Sequence, residues 1–274
     1  MIRHTPFIFG LLIPAVFLFD GCTGSGNEKQ RPQGETLIRE ESLPLYPGEG
    51  RDTPQFRISL KIERIPEAGP LGRLIRDRLC GGAESFQQYG DTLIANLGGE
   101  YAGIRETAQE FSDMPAAAFE WEYAETFEGT LVSPEGFAPA SGEFLVISRS
   151  REYFMGGAHG MREKQYLVIG TARNEQLTLD KLIPEQAQGK VEQLIARSLR
   201  RLSVDGGIRP GAGTPADGSL THWGYLEDRA ALTNNFFLTP AGLGLHWDPY
   251  EIAPYFRGAI EIVIPYGDLM NSIR

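Results

Sequence analysis

Apolar and polar positions alternate first at residues 56–63, where Phe56, Ile58, Leu60 and Ile62 are interleaved with Arg57, Ser59, Lys61 and Glu63. Successive side chains of a strand point to opposite faces, so this pattern predicts a half-buried strand. Residues 71–79 and 85–111 change to helical spacing, with a break expected at Gly98-Gly99. Phe119, Trp121 and Tyr123 alternate with Glu120 and Glu122 as a second strand. Residues 144–154 and 165–171 are predicted to pair antiparallel across the loop Gly156-Gly157-Ala158-His159-Gly160. Asp180 is expected to cap a short turn and Pro184 to enter the first turn of the next helix, where Val191, Leu194, Ile195, Leu199 and Leu202 keep i, i+3, i+4 spacing. Residues 204–219 have no apolar period and read as a long surface loop. Phe236–Leu238 and residues 243–247 form a predicted hairpin around Thr239-Pro240-Ala241-Gly242, with Pro at the first corner and Gly at the left-handed position. Ile260, Ile262 and Ile264 make the last strand, and residues 267–273 a closing helix. Strands and helices mix without a repeating strand–helix rhythm. The expected class is therefore α+β: antiparallel sheet with packed helices, in two small α/β subdomains.

The N-terminus carries a different pattern. Arg3 and His4 precede the apolar run 6–19, which is short for a bilayer span and of the length of an export signal. Gly21-Cys22 follows, the arrangement of a lipoprotein processing site, so residues 1–21 are expected to be a signal peptide and Cys22 to be lipidated. Asp20 departs from the residue usual there, and plain secretion or an uncleaved anchor are the other readings. Residues 22–51, rich in Gly, Ser, Pro, Glu and Gln, read as a flexible tether. Cys22 and Cys80 are the chain's two cysteines. With Cys22 lipidated, Cys80 is left as an unpaired thiol that burial must keep inert; the rival reading is a Cys22–Cys80 disulfide. The expected location is the bacterial cell envelope, facing the periplasm or the cell surface.

The chain has 274 residues and a formal net charge of −10. Nucleic acid is not an expected partner, because there is no basic excess to displace counterions from a phosphate backbone. No HExxH, CxxC, G-x-S-x-G or phosphate-loop pattern occurs, so no metal site, cofactor or catalytic residue is assigned. His246 and Asp248 would share one strand face, which supplies two ligands at most. The loop 156–160 presents His159 between glycines, with Gly157 and Gly160 shaping it; it is either a plain strand-to-strand turn or a contact edge. In Pro249-Tyr250-Glu251-Ile252-Ala253-Pro254-Tyr255 the prolines stiffen an irregular crossing. Tyr250 and Tyr255 are then rigid outward anchors or core rings, and Glu251 caps a nearby amide or acts as a lone carboxylate. Trp247 is expected in the core.

The run 249–255, then Gly258 and Ile264-Pro265-Tyr266, follows the loop 156–160, the segment 177–182, Phe236–Thr239 and Gly242-Leu243 in that order. This set resembles the extracytoplasmic domain of RsiV-like lysozyme-sensing anti-sigma factors, which also accompanies PdaC-like peptidoglycan deacetylases. The resemblance covers about residues 150–270. It implies a C-terminal RsiV-like domain at 149–274, with 52–148 as its companion α/β domain. It also implies an extracytoplasmic binding module, with lysozyme, another cationic envelope protein or peptidoglycan as partner. Nothing precedes the export signal and the chain ends at Arg274, so neither sigma-factor binding nor deacetylase activity is expected. The binding residues expected are Gly157, His159, Gly160, Tyr250, Glu251, Pro254 and Tyr255. Alternatives are a peptidoglycan-modifying enzyme using Glu251 with His159 or His246, and a structural envelope protein.

Overall fold

A computed structural model describes residues 36–44, 55–110, 120–207, 219–229 and 232–273. The export signal, Cys22 and residues 208–218 of the predicted loop lie outside them. A six-stranded sheet is built in the order β1 (Leu37–Pro44), β2 (Gln55–Glu63), β3 (Trp121–Val132), β4 (Phe144–Phe154), β5 (Met161–Gly170) and β6 (Glu175–Gln176). Neighbours run antiparallel except β2 and β3, which are parallel. A parallel pair needs a long crossover, supplied here through α1 (Gly69–Leu79) and α2 (Phe86–Glu110). A second sheet, of order β7 (Phe236–Leu238), β8 (Gly242–Trp247) and β9 (Ile260–Pro265), packs with α3 (Leu179–Leu182), α4 (Glu185–Asp205) and α5 (Tyr266–Ile273). The α+β class read from the pattern is the observed one.

Of three buried clusters among the described residues, one joins Phe56, Ile58, Leu97, Tyr101, Trp121 and Tyr123, and the other two explain the layering of the sheets. Leu60, Ile62, Phe127, Leu145, Ile147, Leu167 and Ile169 face Ile75, Leu79 and Phe86 of the α1–α2 layer. Phe144, Val146 and Val168 point the other way, into a core with α4 and the second sheet. The start of β4 is thus buried on both faces, which is why Phe144-Leu145-Val146-Ile147 is continuously apolar instead of alternating.

Several expectations need correction. α2 is unbroken through Gly98-Gly99. A Cβ on Gly98 would stand 3.1 Å from Leu43, and one on Gly90 3.0 Å from Leu60, so these glycines let the helix lie close against β1 and β2. That packing outweighs the propensity cost of a helical glycine, about 1 kcal/mol. Leu37–Pro44, inside the segment read as a tether, is strand β1, paired along its length with β2. Only Leu37, Arg39 and Leu43 are half-buried there, so backbone pairing recruits a strand whose charged side chains give no apolar pattern. The boundary drawn between 148 and 149 falls inside β4, and the first sheet runs across it. Gly242 is not left-handed; it opens β8, and a Cβ there would meet Val263 at 2.6 Å and the Ile264 carbonyl at 2.7 Å. Thr178, not Asp180, stands at the N-cap of α3, and Pro184 at that of α4. Cys80 is buried and free, and burial pushes its thiol up to about 12.

Candidate functional site

The β4–β5 hairpin ends at the glycine loop, and Gly156 and Gly157 take φ values of 83° and 101° that a side chain would resist. This tip meets the 249–255 segment. The His159 ring stacks on Tyr255 with centroids 3.8 Å apart, and Tyr250 packs beside both, at 5.4 Å from Tyr255 and 6.5 Å from His159. Tyr255 donates its hydroxyl to the Gly160 carbonyl at 2.5 Å. His159 Nδ1 also lies 3.0 Å from that carbonyl, which can only accept, so Nδ1 carries a proton. Nε2 is left facing the Tyr250 hydroxyl at 3.4 Å. Gly160 is close to the strand below: an added Cβ would stand 3.0 Å from the Tyr153 carbonyl.

Tyr255 is half-buried, whereas His159 and Glu251 are exposed. Tyr250 is 51% exposed, and Phe256, which follows Tyr255 in the sequence, is 81% exposed. Tyr250 also has φ 73°, an uncommon conformation for a bulky residue. Pro254 opens the short 3₁₀ turn Tyr255–Arg257. Arg257 anchors that turn from beneath, donating to the Trp223 carbonyl at 2.8 Å and to Ser203 Oγ at 2.9 Å, with its guanidinium 4.3 Å from the Tyr225 ring centroid. The result is an exposed aromatic patch on a pinned loop. Phe256 was not among the residues expected; its place in the run after Pro254 was the available signal.

Glu251 accepts a hydrogen bond from the Asp248 backbone N–H at 2.7 Å, which is the capping role. His246 stands apart from the patch in the buried wall between the sheets. Its Nδ1 donates to Glu261 at 2.9 Å and its Nε2 to Asp248 at 2.8 Å. Both partners are carboxylates, so both ring nitrogens donate and the ring is imidazolium. Burial opposes that charge, but the bonds to Asp248 and Glu261 outweigh it and raise the pKa above its ordinary value. Glu261, held by His246 despite partial burial and aided by Lys164 and Tyr166, is lowered to about 2. Asp248 also accepts the Lys164 N–H at 2.8 Å, and Asn235 accepts the Tyr166 N–H at 2.9 Å while donating to the Lys164 carbonyl at 2.6 Å. These side chains take the place of a strand along β5 beyond the reach of β6. Both imidazole nitrogens are thereby used, and among the described residues no group of His, Cys, Asp and Glu is arranged to hold a metal ion.

The sequence reading missed a second buried charge. Glu125, in β3, accepts from the Tyr89 hydroxyl at 2.9 Å, from the Tyr123 hydroxyl at 2.7 Å and from Arg149. Arg149 also donates to Tyr89 Oη at 2.7 Å and to the Leu79 carbonyl at 2.9 Å. Burial works against the Arg149 charge, yet Glu125 raises its pKa overall. Burial and then Glu125 raise both tyrosines. Glu125 sits at an even step of an otherwise polar-looking run, where only the inward register of Tyr123 and Phe127 marks it as buried.

Residues 180–267 match the family model described as "Protein of unknown function (DUF3298)". No curated protein matches the chain. A crystal structure of a DUF3298 family member from Bacteroides fragilis NCTC 9343 is similar at 16% identity and TM-score 0.64, covering 88% of this chain and 92% of that one. A DUF3298 family protein from Pseudomonas aeruginosa PAO1 is similar at 18% identity and TM-score 0.47, over 88% of this chain and 94% of that one. The first likeness establishes a shared fold. Residues 180–267 are thus similar to the DUF3298 family, whose function is unknown, and the whole chain shares the fold of the Bacteroides fragilis member.

Proposed function

We propose that the chain is an envelope lipoprotein, exported and anchored through Cys22, whose folded part binds a protein ligand of the lysozyme-type muramidase class. The observation that carries this reading is the aromatic cluster of His159, Tyr250 and Tyr255 at the surface, with the exposed Phe256 next to Tyr255 in the sequence. Aromatic side chains on stiffened backbone offer large contact area at small entropy cost, which is how interface anchors work. The resemblance of residues 150–270 to the RsiV-like extracytoplasmic domain favours a muramidase. So does the net charge of −10, which would speed encounter with a basic enzyme. The enzymatic alternative has less support, because Glu251 is tied to a backbone amide and His246 is held at both nitrogens.

Two measurements test the reading. Immobilised lysozymes of several classes should capture the purified protein at micromolar concentration, with affinity falling as salt rises; isolated cell-wall sacculi form the second arm. Capture by no lysozyme, low salt included, would defeat the muramidase reading. Cys22→Ala should move the protein from the membrane fraction to the soluble fraction, and an unchanged distribution would defeat the anchor.

A further inference from the structure

A cleft of about 590 Å³ opens between the end of α1 and the Glu163–Leu167 stretch of β5. Its floor comes from one face of two strands. Arg149 lies opposite Gln165 and Arg151 opposite Glu163 in the β4–β5 register, and Leu167 continues the same row. The last turn of α1 supplies Arg78, and Gln176 and Asn234 complete the rim. A cleft of this size suits a small molecule. Its lining is polar and carries both signs, with Arg78, Arg149, Arg151 and Lys164 against Glu163 and Asp248, the last already bonded to His246 and the Lys164 N–H.

The groups around this cleft divide into committed and uncommitted ones. Arg149 is spent on Glu125 and the Leu79 carbonyl. Arg151 pairs with Glu163 at 2.6 Å, both partly exposed to the cleft. Arg78 is exposed and, among the described residues, has no hydrogen-bond or ion-pair partner. The side-chain amides of Gln165, Gln176 and Asn234 likewise have none among the described residues. One guanidinium without a partner among the described residues, a second one held by a single partly exposed carboxylate, and three amides likewise without partners thus line one concavity. Guanidinium forks recognise planar oxyanions, and amides supply both donors and acceptors for hydroxyls.

We propose that this cleft binds a small polar ligand bearing an oxyanion, a carboxylate or a phosphate, held by Arg78 and Arg151 with its neutral body on Gln165, Gln176 and Asn234. The site shares no residue with the aromatic patch and stands or falls separately from it.

The test is titration of the full chain with glucuronate, glucose 6-phosphate and glucose, read by calorimetry and by NMR shifts of the Gln165, Gln176 and Asn234 side-chain amides. At least one anion should bind and move those amides, glucose should not, and the anion that binds identifies carboxylate or phosphate. Arg78→Ala, at an exposed and unpartnered position, should fold normally and weaken binding about tenfold or more. Arg151→Gln should also weaken it, whereas Tyr250→Ala should leave it unchanged. The proposal is overturned if neither anion binds, if glucose binds as well as the anions, or if Arg78→Ala and Arg151→Gln both bind with wild-type affinity.

Discussion

Tyr250 combines exposure with a left-handed backbone at φ 73°. A side chain held there costs about 1–2 kcal/mol, so stability would improve with glycine at this position, yet the ring stands where the patch needs it. Tyr250→Gly should therefore be more stable than Tyr250→Ala by about 1 kcal/mol in urea unfolding, while both lose ligand binding. Equal stability of the two variants would show that the backbone is not strained. Gly244 gives a contrasting case, since its need is for space. A Cβ there would meet the Phe237 ring at 2.2 Å, and Phe237 itself stacks on Tyr166 at 4.4 Å. Gly244→Ala should destabilise by about 1–3 kcal/mol through overpacking, measured as a drop in the urea midpoint with m unchanged. Neither demand was visible in the sequence, because both depend on what the second strand or loop brings opposite.

At the scale of elements, two buried ion networks join strands to their neighbours. Removing Arg149 leaves Glu125 buried without its cation. Arg149→Met should then cost about 3–5 kcal/mol, and adding Glu125→Gln should recover part of that loss; additive losses would contradict the pairing. The His246 network links β8 and β9 to β5 and makes stability depend on pH. His246 is raised above 6.5 in the folded chain, so its contribution is complete below 6.5 and is lost as pH rises through the folded value. Glu261 is lowered from 4.5 to about 2, so its contribution is complete above 4.5 and is lost as pH falls toward 2. The stability advantage of wild type over His246→Gln should be largest near pH 5–6 and shrink on the alkaline side. An advantage independent of pH between 5 and 9 would refute the imidazolium assignment. Strands with clean alternation, β2 and β9, were legible in the sequence, as were the hairpin and α4. β1 was not, because a charged edge strand owes its structure to pairing with β2. The unbroken α2 was not, because its glycines signal close packing as readily as a helix end.

For the whole molecule, the proposed contact surface arises from segments about 90 residues apart in sequence, joined through Gly160 and Tyr255. The sequence marked each segment as conformationally special, and the 249–255 run and the glycine loop do meet. What it did not mark was Phe256, or the division of labour in which Tyr255 ties the loop down while Tyr250 faces outward. The polar cleft further down the same hairpin was also hidden, since it takes α1, β4, β5 and the segment before β7 to form it. The net charge of −10 predicts that association with a basic partner slows as ionic strength rises, with dissociation less affected. Dissociation should instead respond to the aromatic anchors.

The most direct measurement is the dissociation constant for a captured lysozyme of the wild-type chain beside Tyr250→Ala, Phe256→Ala and Arg78→Ala, with circular dichroism establishing that each is folded. The aromatic-patch account predicts weakening of about tenfold or more for Tyr250→Ala and Phe256→Ala and wild-type affinity for Arg78→Ala. Wild-type affinity in both patch variants would place the contact surface elsewhere and contradict the account.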